Sequence, residues 1–98
     1  MSSLDSFISY LSLEKNYSVH TVNAYQKDIK EFASFCKEEY EMTDIDGVDY
    51  SIIRNWIVSL VNKSISNRSI NRKVASLKAF YRFLQRIEKI AANPLTKH

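Results

Sequence analysis

Ser66–Arg86 reads S-N-R-S-I-N-R-K-V-A-S-L-K-A-F-Y-R-F-L-Q-R, and it contains neither Pro nor Gly. Ile70, Val74, Leu77, Tyr81 and Leu84 recur at the alternating three- and four-residue spacing of one helical face. With Phe80 they fall in an arc of about 120°. The opposite face carries Arg68, Arg72, Ala75, Ala79, Arg82 and Arg86, a basic stripe with small residues at its centre. Long cations reach outward from both ends, and the alanines let a helix backbone approach a grooved partner. This suits phosphate contacts by a helix lying in or across a DNA groove. A solvated face is the competing reading, because charge runs commonly just face water.

Three further helices are expected upstream. Ser2 or Ser3 caps the first, with Leu4, Phe7, Ile8 and Leu11 on one face and an end near Ser12–Glu14. Ser18 caps the second, whose apolar face is Val22, Tyr25, Ile29, Phe32 and Cys36 and which runs to about Glu38. Its outer face carries His20, Asn23, Lys27, Lys30 and Ser34 together. Glu41–Asp49 reads as a solvated acidic loop turning at Gly47, the only glycine, and Asp44, Asp46 and Asp49 lack an EF-hand frame. Asp49 caps the third helix, which places Ile52, Ile53, Trp56, Ile57 and Leu60 inward. Trp56 is expected as a core anchor rather than a base-stacking platform.

One Gly and one Pro in 98 residues leave too few turn signals for a many-stranded sheet, so the expected class is all-α, one bundle of four main helices. Such a chain is one domain burying roughly 65% of its unfolded surface. Residues 1–92 are expected to form it. Asn93-Pro94 disfavours continuation of a helix at Asn93, and 93–98 read as the start of a linker.

Charge is divided along the chain. Met1–Ile53 carries four Lys/Arg against ten Asp/Glu, and Arg54–His98 carries ten against one. A basic lobe of that kind is the electrostatic footprint of a nucleic-acid binder, and an acidic protein or a membrane surface also fits. Cys36, the single cysteine, falls on an apolar face, which excludes an intrachain disulfide and is compatible with a reducing cytoplasm. There is no signal-peptide pattern and no apolar run of membrane-spanning length.

Nothing supports catalysis or a cofactor. His20 and His98 are the only histidines and neither has metal-ligand spacing. A P-loop or dinucleotide motif needs more glycine than the chain has. Tyr25 and Tyr81 read as core residues, and no His/Arg cluster is spaced to activate another tyrosine. The chain reads as a binding domain, with no metal site and not a complete enzyme.

Two segments resemble a known family. Tyr17–Phe32 (Y-S-V-H-T-V-N-A-Y-Q-K-D-I-K-E-F) is similar to the second-helix motif of the N-terminal core-binding domain of tyrosine recombinases, the phage-integrase and Xer family. Ile65–Leu84 resembles its fourth-helix motif, and Asn93-Pro94-Leu95 the passage into its linker. The resemblance covers about residues 4 to 95 in order and spacing. It implies a SAM-like bundle forming half of a clamp on double-stranded DNA. The second and fourth helices would approach the major groove of a recombination half-site, and the first would take part in self-association of protomers. The implied DNA-binding positions are His20, Asn23 and Lys27, then Arg68, Ser69, Asn71, Arg72 and Lys73, with Arg82 further along. The family's catalytic Arg/Lys/His set and Tyr nucleophile belong to a C-terminal domain outside this sequence. The alternative is a SAM- or death-domain-type bundle whose basic face meets an acidic protein. A regulatory helix-turn-helix protein is disfavoured by the lack of a Gly-containing turn before the fourth helix.

Overall fold

The computed structural model describes residues 2–96 and contains α1 (Ser3–Leu13), α2 (Val19–Tyr40), α3 (Tyr50–Asn62) and α4 (Asn67–Arg86). Each start is fixed by a capping side chain. The Ser2, Ser18 and Ser66 hydroxyls and the Asp49 carboxylate accept from the backbone N–H of Asp5, Thr21, Ser69 and Ile52 at 3.1, 3.2, 3.2 and 3.3 Å. Such a cap contributes about 1 kcal/mol.

The helix ends use a different device. Asn16, Glu41, Ser64 and Glu88, one just past each helix, sit at φ of 54, 53, 62 and 62°, in the left-handed region that glycine favours. At Glu41 the reversal lets Met42 N–H donate to Cys36 C=O at 3.2 Å, closing the last turn of α2. The only glycine, Gly47, has no positive φ.

α4 lies centrally and packs on α1, α2 and α3. Its buried set includes the expected Ile70, Val74, Leu77, Phe80, Tyr81 and Leu84, and also Lys73, Ser76 and Phe83. The buried arc therefore widens to about 180°. Phe83 is buried by α1: its ring lies 5.6 Å from Phe7 and 4.9 Å from Tyr10. Trp56 is a core anchor, 5.1 Å from Phe32, and Cys36 is fully buried. Burial pushes the Cys36 thiol up to about 11.

Two segments depart from the expected reading. The acidic loop is not simply solvated: Ile45 and Val48 are core residues, and the buried Tyr81 hydroxyl donates to Ile45 C=O at 2.6 Å. Ser3 ties the same loop to α1 by donating to Asp46 at 2.6 Å. The tail beyond α4 is packed as well. Leu95 is only 3% exposed, held by a turn in which its N–H donates to the Asn93 side chain at 2.9 Å. The packed unit thus runs past the expected limit at Ala92, because Leu95 completes the apolar core. Lys97 and His98, the end of the supposed linker, lie outside the described residues.

Candidate nucleic-acid interface

α2 and α4 meet through a buried charge. Asp28 is 1% exposed, on the edge of the α2 apolar face. Its carboxylate accepts from Arg72 Nη2 at 2.9 Å and from the Ser76 hydroxyl at 2.7 Å, and Lys73 Nζ lies 3.5 Å away. Lys73 also pairs with Glu31. A carboxylate withdrawn from water is costly unless paired and hydrogen-bonded, and here all its partners come from α4. The Arg72 side chain remains 54% exposed, so one edge of its fork is fixed and the rest faces solvent.

Arg72 stands at the rim of a groove of about 370 Å³ lined by His20, Thr21, Ala24 and Tyr25 of α2 and by Ala75 and Ser76 of α4. The alanines keep the floor open. Burial, and then the neighbouring Tyr17, raise the Tyr25 phenol pKa. A second depression adjoins at Tyr25, lined by Tyr10 and Lys15 near the α1 end, Tyr17, and Ala79, Arg82 and Arg86 of α4. Arg68, Arg82, Arg86 and Lys15 have no ion-pair partner among the described residues.

The structure brings His20 and Arg72 into one groove. Asn23 and Lys27 stay on the exposed outer face of α2 beside Lys30 and Ser34. Arg68 and Asn71 are exposed on the first turns of α4, and the half-buried Ser69 hydroxyl accepts from Ser66 at 3.1 Å. Lys73 is the exception among the DNA-binding positions that the resemblance implies. It is 7% exposed and held between Asp28 and Glu31, so it is a bridge between helices and not a surface cation. Its position predicts this, since it falls between Phe80 and Leu84 in the apolar arc of α4. Asp28 and Ser76 were not singled out by sequence; the available signal was that Asp28 lies three residues from Tyr25 and four from Phe32.

The all-α bundle of four helices agrees with what comparison with known proteins finds. The profile of the family described as "Phage integrase, N-terminal SAM-like domain" matches residues 4–88. The chain belongs to that family. Tyrosine recombinase XerC of Oceanobacillus iheyensis is 38% identical over 94 residues, covering 96% of this chain and 30% of the relative. XerC of Anoxybacillus flavithermus is 42% identical over 91 residues, and XerC of Leptospira interrogans serovar copenhageni 44% over 93. These alignments cover 93% of the chain in both cases and 30% and 29% of the relatives. The chain therefore spans less than a third of the length of these curated relatives. No solved structure matches it significantly. The SAM-like assignment fits the all-α bundle. Among the described residues no helix is long and apolar enough to cross a membrane, and no three His, Cys, Asp or Glu side chains are grouped to hold a metal.

Proposed function

We propose that this chain is the DNA-binding, core-binding domain of a tyrosine recombinase, and that it meets double-stranded DNA with α2 and α4. The observation that carries this reading is the stripe of exposed Arg68, Arg72, Ala75, Arg82 and Arg86 with the half-buried Ala79 beside the groove, together with the ion pair that pre-orients Arg72 at its rim. A guanidinium held by one edge loses little further freedom on contacting a phosphate or a guanine edge. Arg68, Arg72 and Arg82 are the phosphate or guanine ligands, and His20, Asn23, Lys27, Ser69 and Asn71 the polar contacts around them. Lys73 is not among them. In the whole protein the domain would clamp a recombination half-site with a catalytic domain that cuts and rejoins DNA through a phosphotyrosine link, and protomers would self-associate on the DNA. The names of the relatives support the recombinase assignment, and the residues above support the surface.

Fluorescence anisotropy of the 98-residue chain on a labelled duplex of about 30 base pairs tests this. Five or six phosphate contacts predict a log–log salt slope of about −5. Arg68→Glu combined with Arg72→Gln should weaken binding at least about tenfold. Glutamine at 72 is chosen because a glutamate there would face the buried Asp28. A slope near zero for the unaltered chain would sink the reading and favour an acidic protein partner for the same face.

A further inference from the structure

The depression between α1 and α4 is chemically unlike the α2–α4 groove beside it. Three cations line it, Lys15, Arg82 and Arg86, none with an ion-pair partner among the described residues. Two of them flank one ring: Lys15 Nζ lies 6.0 Å and Arg86 Cζ 5.7 Å from the Tyr10 centroid. Arg86 Nη1 also donates to the Tyr10 hydroxyl at 3.2 Å. With its oxygen accepting there, the Tyr10 O–H proton is left to donate to an anion. Tyr17 and Tyr25, stacked at 6.0 Å and 14°, form another wall. Positive charge, an oriented hydroxyl donor and aromatic walls make a site for a singly charged oxyanion flanked by apolar surface.

We propose that this cleft is a second phosphate site, which takes one backbone phosphodiester of the DNA beyond the stretch met by the α2–α4 groove. The inference rests on the DNA-binding reading above and extends it to Lys15, Tyr10 and Arg86. The two depressions share Tyr25, and Ala75 and Ala79 lie one turn apart on α4. Arg72 and Arg86 are fourteen residues apart on that helix, about 21 Å along its axis. The major groove is only about 12 Å wide. For a helix crossing the groove with Arg72 over it, the Arg86 end passes the edge and reaches a sugar–phosphate strand. Phosphate chemistry is what that end needs, and it is what the cleft supplies. An acidic side chain of a protein partner has similar charge, but it would not explain continuity with the groove.

The test uses the 98-residue chain, a fluorescein-labelled mixed-sequence duplex of about 30 base pairs, and salt from about 50 to 200 mM. Lys15→Gln combined with Arg86→Gln should reduce the magnitude of the salt slope by about 1 and weaken binding about tenfold at the lower salt. Tyr10→Phe keeps the ring and should weaken binding about threefold with the slope unchanged. An unchanged slope in a double variant that unfolds at the unaltered midpoint overturns the proposal. If Arg68→Glu/Arg72→Gln weakens binding and the cleft variants do not, the cleft proposal alone falls. If the unaltered chain shows no salt-dependent binding, both readings fall.

Discussion

Asp28 on α2 and Arg72 on α4 are joined at 2.9 Å, with the carboxylate buried and the guanidinium half in solvent. The pair does two things at once. It fixes the separation of the two helices proposed to read DNA, and it aims the exposed part of Arg72. Removing the carboxylate leaves Lys73 buried with Glu31 as its remaining acid. Asp28→Ala should therefore cost about 3 kcal/mol of stability, at the lower end for breaking a buried pair. Urea denaturation measures it. A loss under about 1 kcal/mol would mean that the carboxylate is dispensable to the packing.

Lys73 separates structural charge from binding charge. Lys73→Met preserves the apolar stem and removes the ammonium. It should lower stability by about 1–3 kcal/mol, because Asp28 then keeps one cation and the Ser76 hydroxyl. The salt slope for DNA should stay within experimental error, since the ammonium is not on the surface. A slope reduced by about 1 would put Lys73 back among the phosphate ligands.

Alkaline pH should unfold the protein through two core acids. The Cys36 thiol is pushed up from 9.0 to about 11 by burial. The Tyr81 phenol is pushed far above 10.0, mainly by burial and then by Cys36 and the acids of the α2–α3 loop. Both are neutral in the fold. As pH rises past 9, the unfolded chain loses these protons first and binds fewer than the native state, so stability falls with pH. Thermal midpoints should hold steady to about pH 8.5 and then drop through pH 9–11, with Cys36→Ala shallower over that range. An equally steep drop in Cys36→Ala would remove the thiol from the account.

Much of this was legible because the decisive signals are local. Ser18, Asp49 and Ser66 announce helix starts through their own side chains, and α4 declares its inner face by spacing. Long-range events were less visible. Phe83 projects away from the main apolar arc and is buried only because α1 lies there. The α2–α3 loop looked solvated because its acids outnumber Ile45 and Val48, yet those two point into the core. Lys73 enters the DNA-binding set only through the family resemblance, and its angular position on α4 lies inside the apolar arc. The Lys15–Tyr10–Arg86 cleft joins residues 76 positions apart between Tyr10 and Arg86, and no spacing rule within one helix can announce it.

A scarcity of glycine has a thermodynamic trace. Glu41 ends α2 at φ 53° with an exposed side chain, a conformation that strains any residue with a Cβ. Glu41→Gly should raise stability by about 0.5–1 kcal/mol, the relief of strain being partly offset by the freer unfolded chain. Gly47→Ala is the control: a Cβ there meets nothing within 4 Å and φ is not positive, so it should be neutral to slightly stabilising. Denaturation midpoints of the two variants check this, and destabilisation by Glu41→Gly would show that its side chain has a role.

Leu95 decides where the folded unit stops. The side chain is nearly fully buried, and the Asn93 turn holds it there through the Leu95 N–H and the Thr96 N–H and hydroxyl. Lys89, which donates to Ser3 at 3.3 Å, ties the start of the same tail to α1. A leucine removed from such a site leaves a cavity, so Leu95→Ala should cost about 2–3 kcal/mol. Ending the chain at Ala92 should cost at least as much, because the backbone turn is lost with the side chain. In a domain of this size that is a fall of about 10 °C or more in Tm. If both variants unfold at the unaltered midpoint, the tail is a linker after all, and the core closes without it.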